Sequence, residues 1–284
     1  MSKRVLTIST LGKFGDFGNQ LFQLCFGIGL ARHLGAELQI PNDWVGYKIF
    51  NIRLPEIEII PIAKTPIDYI PNADQIEKHH RIDLIGFWQF QEAIDMFSKN
   101  DISQWLVFQS WILEKFRINN VNKFRKIAIH KRRGDYLKPE NIDRFCCISN
   151  RSFYKCLYTQ VFQNLEKNDA SHVFEVSEEN RICDDFCDSL NIGFIPDFMS
   201  LVSADIVIRS NSSFSFWASA LGGDHVYSPV VKDCVGWSDV DFVAGNHPAL
   251  VSSTYFPGHK ISDMQLKKVW HTGASACQSQ RNHT

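Results

Sequence analysis

From about residue 124 onward the chain alternates short apolar runs with amphipathic stretches, and this alternation limits the folds open to it. "KFRKIAIH" reads as a strand, "RSFYKCLYTQVFQNLEKN" as a helix with apolar residues three and four apart, and "HVFEVS" as a strand. "EENRICDDFCDSL" reads as an amphipathic helix, "IGFIP" as a strand and "DFMSLVSA" as a short helix. "DIVIRS", "SFSFWASAL" and "HVYSP" complete the series as strand, helix and last strand. Units of β and α at this spacing imply a parallel sheet covered by helices on both faces. Ligands of such sheets bind just beyond the carboxyl ends of the strands. That rule points to His130, Ser177, Asp197 and the "SNSS" stretch at 210–213.

The first part of the chain is less regular. "RVLTIST" reads as a strand, "GKFGDFGNQ" as a Gly-rich loop, and "NQLFQLCFGIGLARHLGA" as a mostly buried helix, apolar on nearly every side. "AELQIP" gives a second strand, residues 41–84 show no strong period, and "IGFWQF" reads as a strand. The segments around 91–99 and 101–117 read as helical. The expected division is an N-terminal α/β domain over 1–123 and a C-terminal Rossmann-like domain over 124–284.

Composition narrows the function. Of 284 residues, 30 are Lys or Arg and 31 are Asp or Glu, so the net charge is −1. A nucleic-acid binder would show a basic excess, so any anion site here is local. No apolar stretch approaches the roughly 18 residues that would span a bilayer, and "MSKRVLTIST" reads as a first strand rather than a leader. Eight cysteines form no CxxC framework, and Cys25, Cys156 and Cys183 fall in helix-like segments where a buried free thiol is expected. The expectation is a reduced cytoplasmic protein, at most peripheral to a membrane surface. His79-His80 lacks partners at metal-ligand spacing, and the single Asp-x-Asp, "DVD" at 239–241, arises easily by chance. No essential metal or other cofactor is expected, and there is no GxSxG nucleophile elbow.

The stretch with most chemistry in it is "HKRRGDYL", residues 130–137, at the end of the strand "KIAIH". Cations crowded at a strand end imply an incoming anion, and guanidinium groups bind phosphate through paired hydrogen bonds. Asp135 is placed to hold one guanidinium, and Arg133 is read as buttressing Asp135 and the loop. "RSNSSFSFW" at 209–217 follows a strand and opens a helix, which is either an anion site built on backbone N–H groups or ordinary capping by Asn211 or Ser212.

Together, "FGNQLFQ", "HKRRGDYL" and "SNSSFSFWASAL" resemble the three blocks of the α-1,2-fucosyltransferase family, which belongs with the α-1,6- and protein O-fucosyltransferases. The blocks stand in the family's order at its approximate spacing and cover most of residues 15–230. The resemblance implies a GT-B-like α/β fold, two Rossmann-like halves with a cleft between them. It implies inverting transfer of L-fucose from GDP-fucose to a glycan without a divalent metal, most simply to the 2-OH of a galactoside. By position, Arg132 would bind the β-phosphate and His130 would lie near the guanine and ribose. Asp197 would read guanine, Glu178 and Glu179 would lie near the ribose, and Ser212 and Ser213 with Asn211 would meet the diphosphate. Asn19 would face the reacting sugar, and the base is open among Glu140, Asp16 and Asp135. The chain departs from the family in its longer first loop, in Phe216 and Ser219 where Trp and Gly are usual, and in a tail past residue 230 with no family block. Competing expectations are another linkage, another GDP-sugar, or a catalytically silent GDP- or glycan-binding protein.

Overall fold

The structure is a computed structural model that describes residues 3–116, 124–165, 170–231 and 234–247. Two compact units divide the chain, Met1–Leu113 and Glu114–Thr284. The junction expected at residue 123, the end of the "LEKN" stretch and Cys277 lie outside the described residues.

Unit 1 is built on three short parallel strands, β1 (Val5–Thr7), β2 (Glu37–Gln39) and β3 (Arg81–Asp83), in the order β2-β1-β3. Between β1 and β2 runs α1 (Phe17–Leu34), buried over most of its surface as its apolar sequence requires. It ends at Gly35, whose left-handed φ of 60° lets its N–H reach the carbonyls of Ala31 and Arg32. At Gly29 the backbone of Met96 comes so close that a Cβ would lie 2.5 Å from its carbonyl oxygen. The loop after β1 is tied to β3 by Asp83, fully buried, which accepts from Thr7 Oγ1 at 2.8 Å, Ser9 N at 2.9 Å and Ser9 Oγ at 2.6 Å. A 3-10 turn at Val45–Lys48 and four short α-helices follow: α2 (Ala73–His79), α3 (Gln91–Ile94), α4 (Lys99–Trp105) and, running past the division, α5 (Ser110–Phe116).

Three expectations for unit 1 change, one being the segment around 101–117, which breaks between Trp105 and Ser110. The strand lies at Arg81–Asp83 and not in "IGFWQF", because Trp88 takes a positive φ of 47° and the N–H groups of Phe87 and Trp88 both donate to Asp68 Oδ1. A side chain that captures two successive amides removes them from any ladder. The helical segment around 91–99 breaks after Ile94 and restarts at Ser98, which forms a reciprocal capping box with Asp101.

Unit 2 holds β4 (Arg125–Lys131), β5 (Cys146–Ile148), β6 (Ser171–Ser177), β7 (Ile206–Ile208), β8 (His225–Pro229), β9 (Gly236–Ser238) and β10 (Phe242–Ala244). The main sheet has the order β10-β8-β7-β4-β6. It is parallel except for β10, which runs antiparallel to β8 at its edge. Its helices are α6 (Asn150–Cys156), α7 (Phe162–Asn164), α8 (Asp185–Ser189), α9 (Ile195–Val202) and α10 (Ser213–Leu221). A π turn at Leu157–Val161 joins α6 to α7. Phe153, Cys156 and Val161 pack with Ile127, Ile129, Ile206 and Ile208 in one core. The α/β class expected from the sequence holds, with a parallel sheet in each unit.

Four readings are corrected. "IGFIP" is not a strand, because Pro196 opens α9 in the first turn, where its missing N–H is no loss. "EENRICDDFCDSL" is not one helix: a single 3-10 turn at Glu178–Asn180 ends, and Asp184 caps a new start by accepting from Cys187 N at 2.9 Å. "HVYSP" is not the last strand, since β9 and β10 follow, β9 pairing in parallel with β5 to form a separate two-stranded sheet. Cys183 lies outside any helix and is exposed, whereas Cys25 and Cys156 are buried as expected. All seven described cysteines are free thiols. No helix among the described residues is long and apolar enough to cross a membrane.

Candidate functional site

The carboxyl ends of β7, β4 and β6 lie side by side, and the residues that leave them meet. His130, next to last in β4, is buried and shares a 2.7 Å hydrogen bond between its Nδ1 and Ser210 Oγ, just past β7. Burial pushes its pKa down to about 3, and the cations Arg132, Arg209 and Arg133 push the same way. The imidazole is therefore neutral, a donor at one nitrogen and an acceptor at the other.

Arg132 follows β4 and stands between two carboxylates. Its Nη1 donates to Glu178 Oε1 at 2.8 Å, and its Nη2 lies 2.6 Å from Asp135 Oδ1. Glu178 opens the turn after β6, so this ion pair joins two neighbouring strand ends. The second oxygen of Glu178 accepts the backbone N–H of Arg133 at 3.0 Å. The Arg132 guanidinium also lies over the Tyr136 ring, 5.5 Å from its centroid. Tyr136 is itself buried and donates its hydroxyl to the Asn211 carbonyl at 3.2 Å, which ties the "GDYL" turn to the start of α10.

Arg133 does not buttress Asp135, which pairs with Arg132 instead. Its guanidinium turns away to Asn150 Oδ1 at 3.0 Å, Cys147 Sγ at 3.3 Å and the carbonyl of Arg132 at 3.2 Å. It stacks on Trp237, 4.6 Å from the ring centroid. Lys131 is likewise committed, paired with Glu175 and lying over Tyr154.

At the start of α10, Ser212 is the N-cap and accepts from Phe214 N at 3.2 Å. Asn211 is buried and donates from Nδ2 to the Cys146 carbonyl at 3.1 Å, while its Oδ1 is buried without a hydrogen-bond partner. Ser213 is half-buried in the first turn. Asp197 sits in the first turn of α9, 8% exposed, and accepts from Ile182 N at 2.9 Å. Burial pushes its carboxyl up; the Ile182 N–H and Arg181 oppose that, and Glu178 adds to it. Phe214 packs edge-on to Phe194 and Phe198 and tilts over His130 at 5.8 Å, so an aromatic wall joins α9 to the end of β4.

The structure thus brings His130, Arg132, Asp135, Glu178, Asp197, Asn211, Ser212 and Ser213 to one edge of the main sheet. Glu179 is exposed in the same turn as Glu178, and Glu140 is exposed beyond the "GDYL" turn. Asn19 and Asp16 belong to unit 1, where Asn19 Oδ1 accepts from Gln89 Nε2 at 2.6 Å and Asp16 precedes α1 without a side-chain capping bond.

One residue the sequence reading passed over is Arg209. It is fully buried and donates to Ser228 Oγ at 2.8 Å, to the Ser210 carbonyl at 3.1 Å and to the His247 carbonyl. Burial lowers its pKa to about 9, which still leaves it a cation at neutral pH. Its position just after an apolar strand was the available signal, the same one that marks Arg132. Among the described residues no group of three or more His, Cys, Asp or Glu could hold a metal ion. The "DVD" carboxylates are engaged elsewhere, Asp239 with Arg151 and Ser149, and Asp241 with Lys155 at 2.9 Å.

A pH dependence follows from His130. Its folded pKa of about 3 lies below the value near 6.5 of an unfolded histidine, so between the two the unfolded chain binds more protons. Stability therefore falls as pH drops below about 6.5, by up to ~1.4 kcal/mol per pH unit from this group. Chemical denaturation of wild type and His130→Gln across that range should show a shallower acid slope in the variant. Parallel slopes would mean that His130 is not held neutral.

No protein-family model matches the chain, and no curated protein matches it. Among solved structures, the chain is similar to a mutant of Arabidopsis thaliana FUT1 in complex with GDP, at 12% identity and a TM-score of 0.46 over 81% of this chain and 71% of that one. It is similar to POFUT1 in complex with GDP, at 14% identity and a TM-score of 0.41 over 84% of this chain and 97% of that one. It is similar also to POFUT1 in complex with GDP-fucose, at 14% identity and a TM-score of 0.41 over 85% and 97%.

Proposed function

We propose that the chain is an inverting fucosyltransferase that moves L-fucose from GDP-fucose to a glycan hydroxyl, the 2-OH of a galactoside in the first instance. The observation that carries this reading is the meeting of Arg132, neutral His130, Asp197 and the start of α10 at one sheet edge. The three sequence blocks that resemble the α-1,2-fucosyltransferases supply most of those residues. The reaction is a single in-line displacement at the fucose anomeric carbon, with an oxocarbenium-like transition state and charge building on the leaving diphosphate.

Each group has a task in that reaction. Arg132, held in plane by Asp135 and Glu178, meets the β-phosphate, and the N–H groups at the start of α10 meet the same charge. His130, kept neutral, offers one ring N–H or lone pair toward the nucleoside without adding a charge. Asp197 accepts from guanine N1–H and the N2 amine, two donors that adenine does not offer in that place. No metal takes part, because the cations and backbone donors carry the leaving-group charge. A catalytically silent binder would share the donor site but release no fucose.

Arg132→Ala should keep the fold and nearly abolish transfer. One lost charged donor to the leaving group is worth ~3–4 kcal/mol, on the order of 10²–10³ in rate. Initial rates of GDP release with lactose as acceptor, beside thermal melting of both proteins, check it. Turnover retained in the variant would remove Arg132 from the active site. Transfer should also survive EDTA, and loss on chelation restored by manganese would overturn the metal-free reading.

Asp197 sets base choice. Calorimetric titration should show GDP binding far tighter than ADP, since a buried carboxylate left facing adenine is unpaired. Asp197→Ala should weaken GDP more than ADP and narrow the gap. Asp197→Asn should suffer too, because its amide N–H₂ cannot accept where both guanine groups donate. An unchanged preference in Asp197→Ala would put the guanine reader elsewhere.

A further inference from the structure

The segment after residue 230 carries no family block, yet it places an exposed indole on Arg133, the chain neighbour of Arg132. β9 alternates strictly: Val235, Trp237 and Asp239 face outward, while Cys234, Gly236, Ser238 and Val240 turn toward the protein. Trp237 is 55% exposed, so much of its indole is open to solvent. One face of its ring is covered by the Arg133 guanidinium. Arg133 is the chain neighbour of Arg132, and its backbone N–H shares Glu178 with the Arg132 side chain.

Beside the ring on the same face stand Val235 and Asp239. Asp239 is held by Ser149 Oγ and by Arg151 at 3.5 Å, and that pair remains open to solvent, at 58% and 84% side-chain exposure. The floor is rigid as well: β9 is laddered to β5 with Cys147 opposite Trp237, and Ser149 N donates to the Ser238 carbonyl at 2.9 Å. A flat apolar ring flanked by a carboxylate and a guanidinium matches a pyranose. The sugar's C–H face is apolar and stacks on an aromatic, and its hydroxyls at the rim both donate and accept. A peptide helix or a lipid would need a broad apolar patch, and this outward face offers one ring, one valine and a charged pair.

We propose that Val235, Trp237 and Asp239 with Arg151 form the ledge that binds the acceptor sugar, Trp237 being its stacking platform. This rests on the fucosyltransferase reading, which it extends from the donor to the acceptor. It also gives the "DVD" stretch a use without a metal: Asp239 reads hydroxyls, and Asp241 anchors the strand through Lys155.

Saturation-transfer NMR with lactose and with N-acetyllactosamine tests the ledge, on wild type, Trp237→Ala and Trp237→Phe, with GDP affinity measured calorimetrically in all three. Wild type should show transfer to the galactose C–H protons. Trp237→Ala should lose it, with acceptor affinity weakened about tenfold, the worth of one aromatic contact. Trp237→Phe should retain most of it, and GDP affinity should be the same in all three proteins. Equal saturation transfer in wild type and Trp237→Ala, or none in a wild type that binds GDP, overturns the ledge and leaves the donor reading standing. GDP affinity lost in Trp237→Ala also overturns it, assigning the indole to the donor. A wild type that binds neither GDP nor sugar overturns both readings.

Discussion

Two guanidinium groups lie buried behind the strand ends of unit 2 without a carboxylate, and much of the local structure answers to that constraint. Arg133 is 5% exposed and Arg209 fully buried, and among the described residues neither makes an ion pair. Removing such a charge from water costs several kcal/mol unless hydrogen bonds replace the lost hydration. Here the replacements are neutral: carbonyls of Arg132, Ser210 and His247, the Ser228 hydroxyl, the Asn150 amide and the Cys147 sulfur. Neutral acceptors satisfy the N–H groups and leave the positive charge in place. Its effect is visible at His130, whose imidazole both arginines help to keep deprotonated.

The same requirement binds the end of the described chain to the sheet edge. Arg209 takes the His247 carbonyl, Ser228 donates to the Gly245 carbonyl at 2.7 Å, and Asn246 Nδ2 donates to the Phe216 carbonyl at 2.9 Å. The antiparallel strand β10 delivers the Gly245 and His247 carbonyls, so the one departure from parallel order among the described strands of the main sheet has a purpose. Without β10 and the turn after it, Arg209 would be a buried cation with open donors. The order of the strand edge and the electrostatics of the site are therefore a single problem with a single solution.

Much of this was legible in the sequence, and the limit has a physical form. β4, β6, β7 and α10 were readable because each carries its own signal: a β-branched run, or a serine cap followed by a helical apolar stripe. "IGFIP" misled because an apolar run of that length serves a strand or a helix start equally well, and Pro196 is the arbiter. β5, "CCI", and β9, "GWS", were invisible because neither carries the β-branched run that marks the equally short β7, "IVI". At the site, the residue types were legible and their pairing was not. Nothing in "HKRRGDYL" tells which arginine takes Asp135, because the answer depends on Glu178 arriving from β6 and Cys147 from β5. Trp237 was passed over because an exposed tryptophan and a buried one look alike in sequence.

Depth resolves an apparent contradiction in the charge at this edge. Arg132 faces two carboxylates, so on a simple count the mouth of the site is negative and would repel a diphosphate. Those carboxylates belong to the more exposed side chains, Glu178 at 35% and Asp135 at 41%, whereas Arg133 and Arg209 are buried. Water and salt screen charges at the surface far more than charges inside. The negative charge of Glu178 and Asp135 is therefore screened more strongly than the positive charge of Arg133 and Arg209. The carboxylates pair with the Arg132 guanidinium, and the buried arginines add positive charge that water screens little. In a chain with a net charge of −1, the arginines at this end of the sheet are thus buried more deeply than the acids that face them.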